Sequence, residues 1–278
     1  MPELPEVETI VAGLRPKLTG LVIQDIRVFL PSLVRKDRNF RLQRIQGKRI
    51  DSVRRRGKMI LVECQDRLYL IFHLKMTGRL FWTPRQTPLD KHTHLVVSFR
   101  GRADEIRFRD VRKFGYLRCL EASDPLECPE LHGLGPEPLD LDLESFSRLF
   151  QGRKGRLKSL LLNQTFLAGI GNIYADESLW RAKIHPKRIA SRIAPKDLQT
   201  LIEAAGEVMT EALAAGGTSF DDLYVNVNGE SGYFERGLAV YGRRGEPCPR
   251  CATPIRREAF MNRSSHFCPT CQRPPRTG

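Results

Sequence analysis

Apolar residues fall at helical spacing from the start of the chain. Val7, Ile10, Val11, Leu14 and Leu18 share one face, which predicts a helix from Pro5 to about Leu14. A proline suits the first turn of that helix, where the N–H it lacks would have no partner. From residue 22 to 120 the spacing shortens to that of strands, over residues 22–29, 50–54, 59–63, 68–72, 94–99, 105–109 and 116–120. Turn residues Gly47, Gly57, Gly78, Pro84 and Gly101 separate them, and so many short strands imply a two-layer β-sandwich. Residues 123–138 are rich in Pro and Gly and read as a linker. Beyond it the pattern turns helical, over 144–150, 157–162, 172–181 and 196–214. The last of these carries an apolar face of Leu198, Leu201, Ile202, Ala205, Val208, Met209 and Leu213, and Gly216-Gly217 ends it. The polar stretch 218–237 reads as a mobile loop.

Charge changes the picture more than composition does. Of 278 residues 41% are hydrophobic, enough for a packed core, while 46 Lys and Arg oppose 32 Asp and Glu. The resulting net charge of +14 and a pI near 9.8 favour a polyanionic partner over a merely basic enzyme. An anionic membrane surface fits less well, because no basic amphipathic helix carries an aromatic face. No apolar run is long enough to span a membrane. The acidic N-terminus lacks a signal-peptide pattern, so a cytoplasmic location is expected.

Four of the seven cysteines form two tight pairs, Cys248-Pro249-Arg250-Cys251 and Cys268-Pro269-Thr270-Cys271, sixteen residues apart. That spacing suits one structural Zn2+ held by four thiolates; a redox-active pair is the weaker alternative. Cys64, Cys119 and Cys128 are scattered, so this is no disulfide scaffold. From Arg243 to Gly278 eight arginines face only Glu246 and Glu258, a local balance of +6. Such a segment suits several phosphate contacts. It contains a hairpin whose tip holds Asn262, Arg263, Ser264 and Ser265.

The chain opens Met1-Pro2-Glu3-Leu4-Pro5-Glu6-Val7-Glu8-Thr9. A small second residue favours removal of Met1, which would expose Pro2 as a secondary amine. An α-amino group titrates near 7.7–8.0, against about 10.4 for lysine, so much more of it is neutral at pH 7. Such an amine attacking a sugar carbon yields a cationic iminium, a good electron sink, and Glu3 beside it could relay protons. Read alone, acids before a helix are more usually its caps than catalytic groups.

The opening block resembles that of bacterial formamidopyrimidine-DNA glycosylases. The resemblance continues through His73-Leu74-Lys75-Met76-Thr77-Gly78, Asp110-Val111-Arg112-Lys113-Phe114-Gly115 and Leu134-Gly135-Pro136-Glu137-Pro138-Leu139. It resumes with Gly169-Ile170-Gly171-Asn172-Ile173-Tyr174-Ala175-Asp176-Glu177-Ser178, then Val240-Tyr241-Gly242-Arg243 and the cysteine pairs. It implies an α+β protein: an N-terminal helix on a β-sandwich (1–122), a linker (123–140), a helix–two-turns–helix domain with a lesion-capping loop (141–237), and a β-hairpin zinc finger (238–272). It implies a bifunctional DNA glycosylase and AP lyase of base excision repair. Such an enzyme removes 8-oxoguanine and formamidopyrimidines from damaged double-stranded DNA and then cleaves the strand by β,δ-elimination.

The same resemblance assigns roles. Pro2 would be the Schiff-base nucleophile and Glu3 the acid assisting ring opening. Lys58, otherwise readable as a surface lysine, would move a proton in β-elimination, and Arg263 would serve δ-elimination. Met76, Arg112 and Phe114 would fill the void left by a flipped nucleotide. His73, His92, Arg153, Lys158 and Asn172 would contact DNA, Glu6 and Glu177 would support the N-terminal site, and Tyr233 and Phe234 would lie in the capping loop. Cys248, Cys251, Cys268 and Cys271 would hold the zinc. A monomer, associated with the nucleoid, is expected. Lys75 departs from the family, where glycine is frequent, and adds a charge beside the wedge. A non-catalytic DNA-binding module is the alternative; intact Pro2, Glu3 and Lys58 argue against it.

Overall fold

The apolar face of the opening segment does form a helix, α1 (Leu4–Leu18), and Val7, Ile10, Val11, Leu14 and Leu18 are buried on it. It extends a turn past the expected end, despite Pro16 within it, because Leu18 still reaches the core. The computed structural model describes residues 1–36, 40–218, 226–230, 232 and 234–274. Residues 219–225, 231 and Tyr233 of the expected capping loop lie outside the described residues.

Among the described residues nine strands follow: β1 (Ile23–Val28), β2 (Val34–Lys36), β3 (Ile50–Arg56), β4 (Met59–Cys64), β5 (Leu68–His73), β6 (Gly78–Pro84), β7 (Thr93–Phe99), β8 (Asp104–Asp110) and β9 (Tyr116–Glu121). They form a five-stranded sheet, β2-β9-β5-β4-β3, and a four-stranded sheet, β1-β7-β8-β6. Alternate residues such as Ile60, Val62, Leu70 and Phe72 from the first sheet and Leu95, Val97, Ile106 and Phe108 from the second join α1 in one hydrophobic core. The two-layer sandwich expected from the strand spacing is therefore present.

Two strands escaped the sequence pattern. β2 spans three residues and pairs in parallel with β9, too short to show alternation. β6 lies between Gly78 and Pro84, which read as turn signals. Gly78 is needed because a Cβ there would strike the Leu74 carbonyl. Pro84 closes an edge strand, the position a sheet tolerates for a residue without an N–H.

The chain after the sandwich contains α2 (Pro129–His132), α3 (Leu143–Phe150), α4 (Leu157–Leu162), α5 (Asn172–Arg181) and α6 (Pro195–Ala214), then the antiparallel hairpin β10 (Arg256–Phe260) and β11 (Arg263–Phe267). Two compact units result: residues 1–133 with 213–235, and residues 134–212 with 236–278. This differs from the expected domain limits at two points. The linker's first part belongs to the first unit, where Glu130 of α2 lies 3.9 Å from Arg35 and 3.7 Å from Arg118. Residues 213–235, expected within the helical domain, also join the first unit. Val227 is buried in the sandwich core, its carbonyl accepts the Trp82 N–H at 3.0 Å, and its side chain fills the space over Gly13. No helix of the described residues is long and apolar enough to cross a membrane.

Candidate functional site

In the first unit, Pro2 and Glu3 are both buried at the N-terminus of α1. The Glu6 carboxylate fixes them there: one oxygen accepts the Glu3 N–H at 2.8 Å, the other the Thr218 N–H at 2.8 Å. Glu6, itself buried, therefore ties the first residues to the segment that leads into the expected capping loop.

Lys58 follows a left-handed glycine, Gly57 (φ 55°), in the β3–β4 turn and is buried to 6% exposure. It is thus no free surface lysine. The residue after it, Met59, pairs with His73, and His73 pairs with Tyr116 across the β5–β9 ladder. The His73 and Tyr116 rings stand 5.4 Å apart. The His73 imidazole is pushed down to about 3, by burial first and then by the charges of Lys75, Lys58 and Arg35, so the ring is neutral at physiological pH. Its Nδ1 accepts the Lys75 N–H at 3.0 Å, which leaves the proton on Nε2 as a donor for an incoming acceptor.

The structure brings Met76, Arg112 and Phe114 together on the surface. Met76 is 44% and Phe114 53% exposed. The Arg112 guanidinium donates to the Met76 thioether at 3.1 Å and lies 4.8 Å from the Phe114 ring centre. Their pose depends on Asp110, which is fully buried. One of its carboxylate oxygens accepts the Thr77 hydroxyl and the Arg112 N–H (3.1 Å), the other the Gly115 N–H (2.7 Å). One carboxylate thus joins the loop carrying Met76 to the loop carrying Arg112 and Phe114. The backbone of Asp110 also donates to the His92 carbonyl at 3.0 Å, which sets half-buried His92 at the foot of the same loop. Asp110 stands in a motif quoted from the sequence but carried no role there; the available signal was one acid within a basic, exposed run.

In the second unit, Gln164 organises the turn between α4 and α5, accepting from the Gly169 N–H and donating to the Leu162 and Ile170 carbonyls. Gly135 is required beside this turn, because a Cβ would strike the Phe166 carbonyl. Asn172 opens α5 behind Gly171, which offers no side-chain cap, and the Asn172 Oδ1 is buried with no hydrogen-bond partner. Backbone amides at a helix N-terminus form a seat for a phosphate. Arg153 is exposed and lies 5.6 Å from the Phe166 ring.

Lys158 is placed otherwise than expected. It has no exposed surface, and its ammonium donates to the Ser264 carbonyl (2.8 Å) and Ser265 hydroxyl (2.9 Å) while pairing with Asp176 at 2.6 Å. Direct contact with a DNA backbone is therefore closed to it in this conformation. It holds β11 against α4 and α5 instead. Asp176 completes the link by accepting the His266 N–H at 2.8 Å. Arg263, exposed at the start of β11, is thereby presented on a fixed hairpin. Glu177 accepts the Ala239, Val240 and Tyr241 N–H groups at 2.8–2.9 Å. Burial raises its carboxyl above the usual range, against the pull of those three amides.

The thiols of Cys248, Cys251, Cys268 and Cys271 all lie within 4.8 Å of one another. Three of the six sulfur pairs stand 3.5, 3.5 and 3.9 Å apart. Tetrahedral zinc with about 2.3 Å bonds to sulfur requires about 3.8 Å between sulfurs, so the four thiols fit one zinc ion with its coordination closed. Trp180 donates its indole N–H toward the Cys248 sulfur at 3.5 Å.

Known proteins agree with this arrangement. Residues 1–117 match the formamidopyrimidine-DNA glycosylase N-terminal domain, residues 134–223 its H2TH domain, and residues 245–274 a zinc finger found in FPG and IleRS. A formamidopyrimidine-DNA glycosylase from Nocardioides sp. is 45% identical, over 99% of this chain and 96% of its own. A MutM solved in complex with carbocyclic 8-oxo-G containing DNA superposes with a TM-score of 0.90 at 34% identity, covering 98% of this chain and 100% of its own. The Lactococcus lactis Fpg solved with an abasic site containing DNA gives the same score, identity and coverage. The chain belongs to the formamidopyrimidine-DNA glycosylase family.

Proposed function

We propose that this chain is a bifunctional glycosylase and AP lyase that excises oxidised purines, 8-oxoguanine and formamidopyrimidines, from duplex DNA. The observation that carries the reading is the seating of Pro2 and Glu3, buried together and fixed through Glu6. Once Met1 is removed, the Pro2 nitrogen is a secondary amine beside a carboxyl group. It attacks C1′ of the damaged nucleotide, the glycosidic bond breaks, and the base leaves with the electron pair. Glu3 protonates the ring oxygen as the sugar opens, and the iminium that forms draws electrons from the sugar. Lys58 moves a proton in β-elimination, and Arg263 assists δ-elimination, which leaves a gap with phosphorylated ends.

For Pro2 to reach C1′ the nucleotide must leave the stack. Met76 and Phe114 enter the vacated space, and Arg112 hydrogen-bonds the orphaned base, preferably cytosine. His73 donates from Nε2 to a phosphate oxygen, and Asn172, Arg153 and His92 grip the backbone. The zinc ion, when bound, keeps the finger folded. We place the chain in the cytoplasm, as a monomer acting on nucleoid DNA.

Borohydride reduction tests the chemistry. The mature chain should be trapped covalently on an 8-oxoguanine duplex, and Pro2→Gly should lose most of that adduct. Equal trapping by the variant would remove Pro2 as the nucleophile.

A further inference from the structure

Lys75 breaks two local rules. It occupies the left-handed region (φ 52°) where glycine is at ease and a long side chain is strained. Its ammonium, half-buried, has no carboxylate partner among the described residues and stands 5.7 Å from the centre of the Tyr116 ring. The same ring carries a second cation: the Arg35 guanidinium lies 3.6 Å over its centre. Arg35 is half exposed and has only a loose approach to Glu130, at 3.9 Å. Parallel pairing of β2 with β9 sets Arg35 opposite Arg118, two residues beyond Tyr116 in β9. Two like charges therefore converge on one aromatic ring, and a third, Lys58, also acts on the adjacent His73. Burial, and then Arg35, lower the Lys75 ammonium; no carboxylate among the described residues offsets the repulsion at Lys75. An aromatic ring can hold one cation well, but a pair of cations gathered around it calls for an anion.

We infer that Lys75 and Arg35, mounted on Tyr116, form an anion subsite for a DNA backbone phosphodiester, additional to the contacts expected of Lys58 and His73. This rests on the reading of the chain as a DNA enzyme, but not on the identity of its nucleophile. The planar guanidinium offers paired donors and the ammonium a mobile point charge, a combination that suits a phosphodiester oxygen pair. The bound phosphate relieves the repulsion that the free protein carries. Lys75 directly precedes Met76, so the subsite anchors backbone beside the wedge.

The experiment measures binding of the full zinc-loaded chain to a short undamaged duplex as a function of salt. Removing one phosphate-binding charge lowers the slope of log K against log salt by about 0.9. Lys75→Gln and Arg35→Gln should each lower the slope by about that amount and weaken binding at physiological salt by roughly 3- to 10-fold. Lys75→Arg should keep the parent slope. Lys196→Gln, which removes one exposed charge from α6, should also keep it. Lys75→Gly covers the case in which glutamine fails to fold in the left-handed position, because glycine relieves that strain. Parent-like slopes in Lys75→Gln and Lys75→Gly would overturn the subsite. So would an equal drop in Lys196→Gln, which would reduce the effect to net charge. Failure of the parent chain to bind duplex would remove the DNA reading itself. Failure of Pro2 to form an adduct would leave these slopes untouched.

Discussion

Two exposed tips, one in each unit, are each set by a single buried aspartate, and the two aspartates work by different physics. At the wedge, Asp110 faces only dipoles: a hydroxyl and two backbone N–H groups. At the finger, Asp176 faces a cation, the fully buried ammonium of Lys158, together with the His266 amide. The first arrangement tolerates the loss of one donor at moderate cost. The second does not, because a buried charge deprived of its partner is far more expensive than a missing hydrogen bond. The wedge loops are joined within one sandwich. The finger hairpin is joined across elements more than 80 residues apart in the chain, where a stronger clamp is needed.

The largest expected effect therefore falls on the finger. Lys158→Met should destabilise the second unit by about 3–5 kcal/mol, read as a lower denaturation midpoint of the zinc-loaded chain. Lys158→Met combined with Asp176→Leu should recover a large part of that loss, since an apolar pair carries no uncompensated charge. A single variant as stable as the parent would show that the clamp is ornamental. Next comes Asp110→Asn. It must present an amide N–H toward one of three donors, and about 1–3 kcal/mol should be lost. Amide hydrogen exchange at Arg112 and Gly115 should quicken in the variant. Unchanged exchange would mean that another group sets the wedge.

Within the working pH range the smallest effect concerns titration. Burial and three neighbouring cations hold His73 at about 3 when folded, against about 6.5 in an unfolded chain. The unfolded chain thus binds the extra proton first. The stability His73 contributes is complete above about 6.5 and declines as pH falls toward 3. Proton-detected NMR of the ring should show no titration of His73 between pH 8 and 5, and a midpoint near 6.5 would contradict its enclosure among cations. The wedge region should then keep its Nε2–H donor across the working pH range.

Much of this was readable from the chain. Seven of the nine sandwich strands follow from alternation, and α4 and α5 were placed at their observed limits because apolar spacing and flanking turns agree. The four cysteines and Arg263 on the hairpin follow from spacing and local sequence. What stayed hidden depends on long-range geometry. Gly78 and Pro84 look like breaks until the edge position of β6 is known. Lys158 looks like a phosphate ligand because its carboxylate partner is 18 residues onward, on another helix. Asp110 and Asp176 were both visible in shared motifs, yet nothing local says that an aspartate faces inward. The exposed chemistry is written in residue types, and its support is written in contacts that only folding creates.

The last turn of α5 has a consequence of its own. Arg250, from the first cysteine pair, donates to the Trp180 carbonyl at 2.6 Å and the Arg181 carbonyl at 2.9 Å while its guanidinium carbon lies 3.8 Å from the indole ring centre. A positive group thereby neutralises the helix's negative pole. The opposite pole, at Gly171 and Asn172, has no side-chain cap to match it. The finger thus acts at a distance of a whole helix, turning α5 into a lopsided electrostatic lever whose far end favours an anion.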